Sequence, residues 1–140
     1  MGYNIHGIWS AANPDGTFET LQLDRAPDDS DLAYLGHSPK LVTLFGWSRS
    51  PLAIRPLPQT GTPTPEHFGR YTGVEMQGCV TLADLLAYDF AAPVWQTRRR
   101  DTFGQVQPVS FTTWWLRERT LPRVRALAAG RPVYFTYVIF

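Results

Sequence analysis

The sequence predicts an α+β fold: a small, mostly antiparallel sheet, built from an N-terminal hairpin and a C-terminal strand, packed with about three helices in a single domain spanning residues 1–140. Three observations point there. The first residues alternate around a strong turn, the last nine carry no charge and are rich in β-branched and aromatic side chains, and short capped helical patterns lie between them.

Tyr3, Ile5 and Gly7 alternate with Asn4, His6 and Ile8, and Trp9 follows, as expected of an opening strand. Asn13-Pro14-Asp15-Gly16 is a turn signal, and Thr17 to Leu23 alternates polar with apolar as a half-buried strand does. The loop from Ser10 to Gly16 exceeds the tightest hairpin turns and leaves the register open. Ser38-Pro39 starts a short helix, because the Ser oxygen caps free N–H groups and Pro fits the first helical position. Leu41, Val42, Leu44 and Phe45 form its apolar face, and Gly46 ends it. Pro51, Pro56, Pro58, Pro63 and Pro65 then exclude both a helix and a central strand, so an extended surface loop is expected. Thr81 with Asp84 three residues on is an Asp variant of the capping box, opening a second helix with Leu82, Leu85 and Leu86 as its core stripe. Thr112 or Thr113 caps a third helix, Trp114 to Ala128, kinked at Pro122 and closed by Gly130. Pro132 to Phe140 reads as a central strand buried on both faces. Pairing it with the N-terminal strand gives the order ββααβ, and a subunit interface would bury it as well.

The 140 residues are 44% apolar and 18% charged, with five Trp, six Tyr and eight Phe, which excludes a disordered chain. No apolar run reaches the roughly 20 residues of a membrane helix, and the N-terminus has no basic segment before an apolar one; a soluble intracellular protein with no membrane partner is expected. Cys79 stands alone and is read as a buried structural thiol. The net charge of +1 hides a division: residues 1–90 hold five Lys/Arg and ten Asp/Glu, and residues 91–140 hold eight Arg and two acids. Arg98-Arg99-Arg100, Arg117, Arg119, Arg123, Arg125 and Arg131 offer guanidinium groups suited to phosphate. They equally suit a solvated helix face whose charges pair with the acidic half, within one subunit or between subunits.

His6, His37 and His67 show no metal-ligand spacing, and the chain holds no nucleophile elbow, phosphate loop or dinucleotide fingerprint. No metal, cofactor or catalytic residue is expected. His6 and Asn4, two apart on a strand, share a face and form a polar pair. Trp47, Trp95, Trp114 and Trp115 are core side chains or stacking surfaces for bases, beside arginines that would meet phosphate.

Met1-Gly2-Tyr3-Asn4-Ile5-His6 and Thr81 to Asp89 carry a resemblance. The chain resembles uncharacterised bacteriophage proteins that begin MGCDIH and carry a mid-chain HSHSWLTLAELLAYDW. Leu44 to Ser50 is similar to that family's LLAGVRN, the Pro-rich loop to its EPRGLP, and Val80 to Phe90 to its LTLAELLAYDW. The resemblance covers roughly residues 1–90; beyond them only a helix-then-strand pattern is shared. The family's Cys and Asp in MGCDIH are Tyr3 and Asn4 here, and its two mid-chain histidines are Glu75 and Gln77. These replacements remove groups an acid-base or metal site would need, and leave Asn4, His6, Arg49 and Gln77 as donors and acceptors. A binder is therefore expected rather than an enzyme.

The resemblance implies a phage accessory protein in the cytoplasm of the infected bacterial host. Residue chemistry adds the expectation that it counters host antiviral defence by binding and sequestering a small anionic nucleotide signal. Asn4, His6, Arg49 and Gln77 would fix the ligand, Trp47 would stack on a base, and Arg98 or Arg99 would meet phosphate. A homo-oligomer is expected. The alternatives are a protein inhibitor that blocks a host defence complex, such as a CRISPR effector, through its charged surface, and a nucleotide hydrolase.

Overall fold

A computed structural model describes residues 5–21, 39–46, 55–61, 76–90 and 116–139. Its frame is a four-stranded antiparallel sheet of β1 (Ile5–Ala12), β2 (Phe18–Thr20), β3 (Met76–Thr81) and β4 (Val133–Ile139), in the order β2-β1-β4-β3. Three helices join it, α1 (Pro39–Leu44), α2 (Leu82–Ala87) and α3 (Leu121–Ala128), with a π-helical turn, Leu116–Thr120, leading into α3. The α+β class and the small antiparallel sheet agree with the sequence reading. The order does not: β3 was not expected, because Met76-Gln77-Gly78-Cys79 has neither clean alternation nor β-branched residues to announce a strand.

The charge-free C-terminal run becomes the central strand β4, which pairs with β1 from Ile5↔Ile139 to Ala11↔Val133 and with β3 from Met76↔Ile139 to Thr81↔Tyr134. Its neighbours on both sides belong to the same chain. Alternate residues make one face of the sheet: Ile5, Trp9 and Ala11 of β1, Val80 of β3, and Val133, Phe135, Tyr137 and Ile139 of β4 are all buried there with Leu41, Leu44, Leu85, Leu121 and Val124 of the helices and Phe45 just after α1. On the opposite face the centre is also shielded, Ser10, Thr136 and Val138 being 0% exposed. A strand buried on both faces explains why its sequence shows no alternation.

Size alternates across the core-facing rows. Tyr137 lies between Gly7 and Gly78, and the Phe135 ring covers Gly7 while the Tyr137 ring covers Gly78. A Cβ on Gly78 would lie 2.5 Å from Gln59 Oε1 and 2.6 Å from the Tyr137 hydroxyl. The two glycines thus make room for the largest rings on the central strand, a pairing that also restores packing lost at a strand glycine.

The expected hairpin forms, with β2 reduced to three exposed residues. Its turn is fixed by hydrogen bonds from the Asn13 N–H to the Thr17 carbonyl (2.8 Å) and from the Thr17 N–H and hydroxyl to Asp15 Oδ1, with Gly16 at φ +87°. Those Thr17 bonds hold the exposed Asp15 carboxyl below its ordinary pKa.

α1 begins at Pro39 and turns off at Gly46, φ +108°, as its sequence predicts; the expected cap Ser38 lies outside the described residues. Thr81 caps α2, accepting from the Asp84 N–H (3.2 Å) while its hydroxyl donates to the Asp84 carboxylate (3.0 Å). Leu82 and Leu85 are buried as expected, but Leu86 is 44% exposed, so the helix turns one of its three leucines outward. Of the helix expected over residues 114–128, residues 114 and 115 lie outside the described residues, and 116–128 form one continuous stretch, a π turn followed directly by eight α-helical residues. Pro122, at the second position of α3, has no N–H to give and its ring crowds the carbonyl four residues back, so the preceding turn widens to accept it. At the far end Ala129 takes the left-handed conformation, φ +51°, before Gly130.

The Gly78 cradle predicts that Gly78→Ala lowers stability by about 2 kcal/mol or more, read as a lower urea midpoint at unchanged slope. Gly61→Ala, where a Cβ meets nothing within 4 Å, is the control and leaves the unfolding free energy within about 0.5 kcal/mol of the parent.

Candidate functional site

Two places in the described residues bear on ligand binding, one on each side of the sheet. The first is small. His6 and Gln77 both pair with Val138, so they occupy one row on the face opposite the core, two strand spacings or about 10 Å apart. His6 is half-buried and Gln77 exposed. In the rows beside them Cys79 Sγ meets Thr136 Oγ1 at 3.4 Å, and Ser10 Oγ is buried without a hydrogen-bond partner. Of the seven residues predicted to bind ligand, these two are brought onto one face; Asn4, Trp47, Arg49, Arg98 and Arg99 lie outside the described residues, as do Trp95, Trp114, Trp115, His37 and His67.

The second place is a groove of about 680 Å³ between α2 and the helical segment before β4. One wall is the end of α2 and its exit, with Leu86, Tyr88, Asp89 and Phe90; the other carries Arg117, Leu121, Pro122 and Arg125. The string Thr81 to Asp89 and the Arg-rich helix, separate signals in the sequence, therefore face each other. The thr-capped start of α2 directly after β3 fixes the first wall against the sheet. Burial of Leu121, Val124 and Ala128 fixes the second.

The chemistry of the groove is an apolar floor with cations at its rim. Phe90 is nearly fully buried and the half-buried Tyr88 ring meets it edge-on at 4.9 Å. Burial, and then the nearby Asp89 carboxylate, push the Tyr88 pKa up, so its hydroxyl stays a neutral donor at physiological pH. The Arg117 Nε donates to Glu118 at 2.8 Å. Arg125 is exposed and makes no hydrogen bond or ion pair among the described residues, which leaves its guanidinium open to an anion.

Other features that invited a functional reading are engaged in holding the fold. Arg131 donates to the Ala128 and Leu127 carbonyls at the end of α3, to Asn13 Oδ1 (2.8 Å) and to Glu19 Oε2 (2.7 Å), tying the helix to the hairpin. This is the pairing of basic end with acidic half that the charge division allowed. The described part of the Pro-rich loop, residues 55–61, closes the β3 edge: the Thr60 N–H donates to the Cys79 carbonyl (2.9 Å), the Cys79 N–H donates to Gln59 Oε1 (2.9 Å), and the Leu57 N–H reaches the Leu44 carbonyl (2.9 Å). Gln59 Nε2 donates to the Tyr137 hydroxyl (2.8 Å), which in turn donates to the Phe45 carbonyl. Burial pushes the Tyr137 pKa far up and keeps that hydroxyl protonated.

Among the described residues no group of three or more His, Cys, Asp and Glu could hold a metal ion, and no helix is long and apolar enough to cross a membrane. No protein-family model, curated protein or solved structure matches the chain. The groove residues Tyr88, Arg117 and Arg125 were absent from the predicted ligand set. Their signal was the proximity of two marked segments, which only the packing of α2 on α3 supplies.

Cys79 is 1% exposed, and burial raises its thiol pKa against the smaller lowering by Thr136. A thiol reagent at pH 8 should therefore label the native chain only as fast as it opens, and stoichiometrically once urea unfolds it. Complete labelling within the mixing time under native conditions would contradict this burial.

Proposed function

We propose that this chain is a phage accessory protein that counters host antiviral defence, in the cytoplasm of the infected bacterium, by binding and sequestering a small anionic nucleotide signal. The observation that carries the binding half is Arg125, an uncommitted guanidinium at the rim of an apolar groove floored by Leu121 and Phe90 and bordered by the neutral Tyr88 hydroxyl. A nucleotide presents a flat body that buries against apolar and aromatic surface and a phosphate that pairs with guanidinium. The groove volume falls within the range of small-molecule sites. The resemblance of Met1 to His6 and Thr81 to Asp89 to phage proteins supports the setting. The expected self-association has the exposed edge strand β2, with Phe18 45% exposed, in its favour.

The predicted set Asn4, His6, Trp47, Arg49, Gln77, Arg98 and Arg99 is a rival location for the same ligand, since His6 and Gln77 lie on the opposite face of the sheet from the core. Calorimetric titration with a panel of nucleotides separates the two. The groove reading expects at least one nucleotide to bind at micromolar concentration or tighter, Arg125→Glu to weaken it by roughly 10- to 100-fold, and Gln77→Ala to leave it unchanged. Loss on Gln77→Ala with Arg125→Glu silent would move the site to the His6 row. Absence of binding by every nucleotide in the panel, with anti-defence activity abolished by charge reversal of Arg119 and Arg123, would favour the direct inhibitor instead.

A further inference from the structure

We infer that the ligand of the groove is a dinucleotide, with its bridging phosphate at Arg125 and one nucleoside on each side of Leu86. The inference rests on the nucleotide reading above and narrows it. Arg125 and Leu86 border not only the 680 Å³ groove but also a second one, of about 330 Å³, whose remaining lining includes Ala83, Ala128, Pro132 and Val133. The two hollows therefore meet along a ridge made of one cation and one apolar side chain.

The charges around this ridge decide where a phosphate sits. In the smaller groove the other guanidinium is Arg131, already engaged by Glu19, Asn13 and two helix carbonyls. In the larger groove Arg117 is paired with Glu118. Arg125 is the described cation at the ridge with no such engagement, and it stands between two apolar hollows, so a phosphate there has a lipophilic surface on either hand. A mononucleotide fills one side. A dinucleotide fills both, and in doing so covers Leu86, which is 44% exposed on a helix whose other leucines are buried.

The test compares adenosine monophosphate with the linear dinucleotides ApA and pApA by calorimetry on the full chain. A second base in an apolar hollow is expected to tighten binding about tenfold or more. Two exposed alanines allow each hollow to be filled separately without touching the core: Ala83 borders only the smaller groove and Ala126 only the larger. Ala83→Trp should bring dinucleotide affinity down to the level of the mononucleotide, whereas Ala126→Trp should weaken both, with circular dichroism confirming that each variant folds. Equal affinity for mono- and dinucleotides, with Arg125→Ala still weakening the mononucleotide, overturns the dinucleotide assignment and leaves the nucleotide reading standing. No binding of any of the three probes at micromolar concentration overturns the dinucleotide assignment, and the nucleotide reading falls with it only if the whole nucleotide panel is silent as well.

Discussion

The hydroxyl of Tyr137 is where the three parts of this structure meet. It sits on the central strand, accepts from the Gln59 amide and donates to the Phe45 carbonyl at the end of α1. Gln59 uses its other amide atom to satisfy the Cys79 N–H on the outer edge of β3. A phenol and an amide thus bind the central strand, an edge strand, a helix end and a Pro-rich segment to one another. The Tyr137 end of this network is fully buried, where a polar group left alone would be costly, and each member has a partner. The arrangement requires Gly78, since any side chain there would occupy the space of the amide and the hydroxyl.

From that constraint the remaining architecture follows in order. The Pro-rich segment cannot form a ladder, because Pro56 and Pro58 have no N–H to donate. It divides the donors it does have, Leu57 going to α1 and Thr60 to β3, and so covers an edge that would otherwise be open to pairing with another chain. With both sides of β4 paired and its core face filled by Phe135 and Tyr137, the chain can place α2 immediately after β3 and α3 just before β4. The groove lies between these two helices, and each wall is continuous, or nearly so, with a strand of the same sheet. Arg131 completes the attachment by closing the end of α3 against the hairpin.

How much of this the amino-acid sequence disclosed depended on whether a signal was local. Capping is local, and Thr81 with Asp84 and the Pro39 start of α1 were legible. Hydrophobic composition over nine residues is local too, and it identified β4 as the buried central strand. β3 was illegible because its inward positions include Gly78 and its outward ones Gln77 and Cys79, residues chosen for what packs against them rather than for strand propensity. Leu86 matched the apolar period of α2 and still faces outward, since period specifies a stripe and only neighbouring helices specify how much of it is covered. The candidate groove was partly legible in the same sense: both of its walls were marked in the sequence, one by the Thr81 to Asp89 string and one by its arginines, but their meeting is a tertiary fact. His6 and Gln77 illustrate the converse, since residues 71 positions apart reach one row only through a shared partner, Val138.

A double-mutant cycle shows whether the Tyr137 hydroxyl and the Gln59 amide act as one unit holding the sheet edge to the core. Stability to urea would be measured for the parent chain, Tyr137→Phe, Gln59→Ala and the double variant. A direct, part-buried hydrogen bond predicts a coupling of about 1 kcal/mol, with the second substitution costing less once the first has been made. Additivity within about 0.3 kcal/mol would mean that the two side chains contribute independently, and would contradict the account.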